Sequence, residues 1–211
     1  MATVRIQLRR DSAADWTSED PTMTEGEIGY ETDTNKFKIG DGSTVWSSLE
    51  YFIDEDSVNT KINQLLHIED QKADTTNSGT FTTGAWRTRD LNTVVTNEIT
   101  GSSLASNQIT LPAGTYEINA RAPVYSVNAH TLKLYNISDT ADEIIGSTTY
   151  SASTGTGGEV WIFGRFTTTA AKIFEIQHRC QTTKADNGFG TPGSFGVIEV
   201  YTQVWIKKIA Q

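Results

Sequence analysis

"FGVIEVYTQVWIKKI", residues 195–209, alternates in a way that decides how the chain must be built. In an extended strand Ile198, Val200, Val204 and Ile206 fall on one face, and Val197, Tyr201 and Trp205 fall on the other. Both faces carry large apolar groups, so neither is suited to water. A second sheet would cover the aliphatic face, and the aromatic face is then expected to be closed by another copy of the chain.

Working outward from that strand, runs rich in Thr, Val, Ile, Tyr and Trp alternate with turn residues, the pattern of a sandwich or jelly roll. Strands are predicted near residues 81–87, 91–99, 108–111, 114–122, 131–138, 143–149, 160–167, 172–181 and 196–209. The one helical pattern is "DSVNTKINQLLHIEDQKAD", residues 56–74. Asp56 or Ser57 suits its N-cap, and Val58, Ile62 and Leu65 follow spacings of four and three. That spacing fits a short coiled-coil seam between copies or an amphipathic helix lying on its own domain. Near the start, Val4, Ile6 and Leu8 alternate with Arg5, Gln7 and Arg9, and "EGEIGYETDTNKFKIGDG", residues 25–42, reads as a hairpin. Its single turn sets Tyr30 near Phe37 and Ile28 near Ile39, while Gly26, Gly29, Gly40 and Gly42 permit positive φ or close backbone approach. Tyr30, Phe37 and Trp46 are expected to pack between chains.

The expected fold class is therefore mainly β. It comprises a small N-terminal β domain over residues 1–53, a short helical connector over 54–74 and a C-terminal jelly-roll β-sandwich over 75–211.

Composition narrows the function. A formal net charge of −9 argues against nucleic acid, whose affinity rests on clustered Lys and Arg. The opening MATVRIQLRR lacks a leader pattern and no stretch approaches the roughly 18 apolar residues of a membrane span, so cytosolic synthesis without membrane insertion is expected. The single cysteine, Cys180, has no disulfide partner within the chain and suits a buried thiol. His67, His130 and His178 share no metal-ligand spacing, although three copies of His67 around a threefold axis would meet. Asp33, Asp41 and the run Asp54-Glu55-Asp56 serve turns and caps better than calcium, because Lys36 and Lys38 interrupt the oxygen-ligand alternation. Glu117, Glu159, Glu175 and Glu199 lie in predicted strands, and nothing in the sequence pairs them for glycoside hydrolysis. No metal, cofactor or catalytic residue is assigned, and a chain without enzymatic activity is expected.

Arg9-Arg10, Trp16-Thr17, Gly26–Gly29, Lys36–Gly42 and Trp46 stand in an order and spacing similar to the small N-terminal domain of tailed-bacteriophage fibre and tropism proteins, the major tropism determinant type. The C-terminal "ITLPAGTYEINARAP" and "FGVIEVYTQVWIKKI" resemble, less tightly, the trimeric jelly-roll heads of the C1q and tumour-necrosis-factor type. These resemblances imply a homotrimeric virion protein made in the bacterial cytoplasm. Its first domain would dock on other virion proteins and its head would point outward. The expected role is a tail fibre or receptor-binding protein that engages a bacterial surface glycan or protein. A capsid head fibre or decoration protein is the alternative, and a polysaccharide-degrading spike is a third reading.

If the chain enters the head at its base, three loops gather at the far end, over residues 122–130, 150–159 and 183–194. Tyr125, Asn128, Tyr150, Lys184, Asp186, Asn187 and Phe189 are the receptor-contact candidates, combining aromatic platforms with amide hydrogen bonding. The trimer-interface candidates are Val58, Ile62, Leu65, Tyr201 and Trp205.

Overall fold

The computed structural model describes residues 8–52 and 64–210, which fall into two compact units, Met1–Thr60 and Lys61–Gln211.

In the first unit, β1 (Arg9–Asp11) runs parallel to β2 (Ile28–Glu31), which pairs antiparallel with β3 (Phe37–Ile39). The hairpin register is the expected one, with Ile28 opposite Ile39 and Tyr30 opposite Phe37. Between β1 and β2 lies a short helix that the apolar pattern did not announce, α1 (Ala13–Glu19). Ser12 caps it by accepting the Asp15 amide at 3.1 Å, and its one buried residue, Trp16, stacks on Trp46 with ring centroids 4.0 Å apart. Trp16, Met23 and Trp46 form the core of this unit. Gly29 lies directly beneath the Trp46 ring, where a Cβ would be driven into the indole. Trp46 is therefore not an interchain surface: it is 1% exposed inside its own unit, because only a glycine-floored sheet lets the indole approach so closely. Phe37 stacks on Phe52 at 5.2 Å, and the Tyr30 hydroxyl donates to Asn35. Asp41 closes the second turn by accepting from the hydroxyl and amide of Thr44 and the amide of Ser43, bonds that hold its carboxyl well below the usual range.

The second unit contains β4 (Gln64–Lys72), β5 (Arg87–Thr88), β6 (Thr93–Asn97), β7 (Ser103–Ala105), β8 (Gln108–Leu111), β9 (Gly114–Tyr125), β10 (Asn128–Asn136), β11 (Ala141–Ser151), β12 (Gly157–Thr168), β13 (Lys172–Cys180) and β14 (Glu199–Ala210). One sheet has the order β12-β9-β14-β4-β6, and the other runs β11-β10-β13-β8-β7 with β5 also on β13. From β8 onward the chain passes repeatedly between the sheets, which is the winding of a jelly roll. Leu66, Ile118, Ile162, Val204 and Ile206 of the first sheet meet Leu132, Leu134, Phe174 and Ile176 of the second in one core.

The connector expectation is corrected here. Residues 64–72 form a strand of the sandwich, not a helix, and Leu65 belongs to that strand. Leu66 and Ile68 alternate into the core beside Ile206 and Val204, and this burial outweighs the local helical spacing. Val58 and Ile62 lie outside the described residues. The register defines two ends of the sandwich. Gln64, Lys208 and Tyr116 lie at the proximal end, and Lys72, Glu199, Tyr125 and Gly157 at the distal end.

Candidate functional site

The outer face of the sheet β12-β9-β14-β4-β6 carries two depressions, one at each end. Near the proximal end a depression of about 470 Å³ is lined by Leu65, Asn119, Phe163, Arg165, Trp205 and Lys207, among others. Opposite neighbours place His67 beside Trp205, Trp205 beside Asn119, and Asn119 beside Phe163. His67 stacks on Trp205 at 4.8 Å and its Nε2 lies 2.9 Å from Glu69 Oε1. Trp161 stacks on Phe163, which is 63% exposed, and the Asn119 carbonyl oxygen is buried without a partner.

Toward the distal end the same face becomes polar. Glu69 accepts from the amides of Gln71 and Gln203, and Gln203 in turn accepts from Arg121 Nε, whose Nη1 pairs with Glu159 at 2.5 Å. Arg121 and Glu159 line the second depression, of about 460 Å³, together with Tyr125, Gly157, Glu199 and Tyr201. Glu199 accepts from the Gly193, Ser194 and Thr75 amides, which hold its carboxyl below the usual range. Those bonds form a tight turn that leaves Phe195, Val197 and Ile198 strongly exposed beside the groove.

Tyr201 departs from its assignment as an interface residue. It is 4% exposed, donates to the Thr76 carbonyl at 2.7 Å and lies against Gly190, so its own chain covers it. Leu65 and Trp205 do lie on the open face.

The receptor-contact candidates do lie at the distal end, but they do not form one surface. The expected loop over 122–130 is mostly strand, turning only at Ser126 and Val127. Tyr125 reaches the groove, with Lys184 Nζ 5.7 Å from its ring, and Tyr150 is 63% exposed at the end of β11. Asn128 donates to Thr182, and Asn187 donates to Thr191. Asp186 is exposed, but its amide is tied to Thr80. Phe189 turns inward, stacking on Phe81 at 4.4 Å under the Arg89 guanidinium.

Beneath these loops the interior is polar. Arg89, fully buried, donates to Thr202 Oγ1 and to the Pro123 and Phe189 carbonyls, and burial lowers it to about 10. His130 Nδ1 and His178 Nε2 are 3.0 Å apart; burial, with Arg89 nearby, lowers His130 to about 4 and His178 well below its ordinary value. Cys180 is buried and raised to about 11, the state of an inert thiol. Among the described residues no cluster of His, Cys, Asp or Glu is arranged to hold a metal. The sequence alone could not single out Arg121, Glu159 or Glu199 as groove residues, because they come from three separate strands and share no motif.

Residues 6–44 match the family model described as the major tropism determinant N-terminal domain. Over 48 residues, 23% of this chain, the sequence is 48% identical to a "Hyaluronoglucosaminidase" of Streptococcus pyogenes phage H4489A. A solved full-length streptococcal bacteriophage hyaluronidase is 46% identical over 24% of this chain, with a TM-score of 0.23. The matches reach 13% and 14% of those proteins, so the chain spans a small part of the relatives' length. Murine APRIL aligns with 69% of this chain and 98% of its own, at 10% identity and a TM-score of 0.43. The jelly roll rests on the strand order itself. The expectation of a chain without enzymatic activity is overturned, because the relatives sharing its N-terminal domain bear the name of a glycosidase.

Proposed function

We propose that this bacteriophage virion protein, with its major-tropism-determinant-type N-terminal domain and jelly-roll head, is a homotrimeric tail fibre or receptor-binding protein. The first unit holds the chain to other virion proteins, and the distal end of the head engages the bacterial surface. The observation that carries the reading is the unfinished aromatic face around Phe163 and Trp205, which a second copy would cover. Phe163 contributes little to its own fold, so Phe163→Asp leaves each head folded while placing a charge in the contact. Light scattering of the full chain is expected to give the mass of about three chains, and Phe163→Asp that of about one. A wild-type monomer at micromolar concentration would remove the trimer. Failure of the purified protein to bind host cells would remove the receptor role.

The relatives' name favours a second reading, a polysaccharide-degrading protein of the virion. Release of reducing ends from hyaluronan or host glycan by the full chain is its test.

A further inference from the structure

We infer that the distal groove on the outer face of β12, β9 and β14 is a saccharide site that takes an uncharged sugar segment. The inference rests on the receptor-binding reading and names the ligand class for that end of the head. The groove's volume, about 460 Å³, falls in the range of small-ligand sites. Its polar groups are planar and paired. Arg121 is held in place by Gln203 and Glu159, and those two bonds use two of the five N–H groups of a guanidinium. Glu159 accepts through one oxygen only from Arg121, and a carboxylate has further acceptor sites on both oxygens. A guanidinium and a carboxylate fixed side by side offer a donor fork and an acceptor fork, which suit vicinal hydroxyls that both donate and accept.

The remaining walls suit the same ligand. Tyr125 supplies an aromatic body against which the C–H face of a sugar ring can lie, and Gly157 leaves its part of the wall without a side chain. Charge decides the class. Glu159 and Glu199 are offset by Arg121 and by Lys184 over the Tyr125 ring, so the groove has no surplus of positive charge for an acidic sugar. The chain's net charge of −9 works against acidic sugars as well.

The test uses the full-length protein, with methyl β-galactoside, N-acetylglucosamine and sodium glucuronate as probes in saturation-transfer NMR. Saturation is expected to reach at least one uncharged sugar and not glucuronate. A Cβ at Gly157 would meet only the Val124 carbonyl, 3.7 Å away, so Gly157→Trp fills the groove from an exposed strand position. It is expected to abolish transfer, and Tyr125→Ala to weaken binding about fivefold, the loss of one stacking contact. The groove is overturned if neither variant changes the signal, if no uncharged sugar responds, or if glucuronate is preferred. Should Gly157→Trp and Tyr125→Ala bind host cells like wild type, the receptor reading stands and the groove falls. Should sugars bind in the groove while host cells are ignored, the reverse holds.

Discussion

The proximal and distal halves of the sandwich are packed by different chemistry. At the proximal end Tyr116, Phe166 and Phe174 stack or meet edge-on among Leu134, Leu111 and Ile206, and the stabilisation there is non-directional burial. At the distal end the space between the sheets is filled by Arg89, Thr202, His130 and His178, with only a small apolar cluster of Phe81, Val124, Val127 and Cys180. An apolar interior accepts many shapes of the right volume, whereas a buried cation accepts only the arrangement that supplies its acceptors. The distal loops are thereby tied to one geometry. Arg89 reaches the carbonyl of Phe189 in the long loop before β14 and that of Pro123 in β9 at the same time.

The largest effect that would break this comparison is expected from Arg89→Ala. Removing the guanidinium strands three buried acceptors, at about 1–3 kcal/mol for each one left unsatisfied, and leaves the buried Asp70 facing less positive charge. Urea unfolding measures the loss, and hydrogen exchange should show the 181–198 segment opening first. Uniform loss of protection across both ends would refute the division.

Acid supplies an intermediate effect. His130 and His178 have folded values below the ordinary histidine value of 6.5, so as pH falls the unfolded chain takes up protons first and stability declines. For His130 the decline begins near 6.5 and continues to about 4. The depressed carboxylates Glu69, Asp139 and Glu199 lose their contribution only below the ordinary carboxylate range, and Asp70, raised by burial, works in the opposite sense. Between pH 6.5 and about 4.5 the histidines give the slope its downward sense, and Asp70 offsets part of it. His130→Gln with His178→Gln should flatten it in thermal melts, and an unchanged slope would show that the pair does not titrate as described.

The smallest change is expected at the proximal end. Leu134→Met keeps the volume of a fully buried side chain among apolar neighbours and should cost less than about 1.5 kcal/mol. A larger loss in a calorimetric scan would mean that the proximal core is as exacting as the distal one.

Where the sequence could be read, the reason was local alternation. The β2–β3 hairpin has the register expected from Ile28, Tyr30, Phe37 and Ile39, and β8 covers the residues anticipated for it. Residues 64–72 misled because Leu65, Leu66 and Ile68 are compatible with both helical and strand periods, and only the presence of β14 and β6 on either side resolves the choice. α1 escaped notice because a seven-residue helix with one buried residue leaves no periodicity.

By itself the amino-acid sequence determined the predominance of β structure, the jelly-roll class of the head, the likeness of the first unit to phage tropism proteins and the doubly apolar character of the last strand. Those properties follow from period-two patterning and from glycines whose need is local. Tertiary structure alone decided that Tyr201 is covered by its own chain while Trp205 remains on an open face. It also decided that Arg121, Glu159 and Glu199 meet in one groove and that Arg89 becomes the buried centre of the distal end. Each of these depends on which distant strands lie side by side, and pairing across 38 to 113 residues leaves no mark in the local pattern.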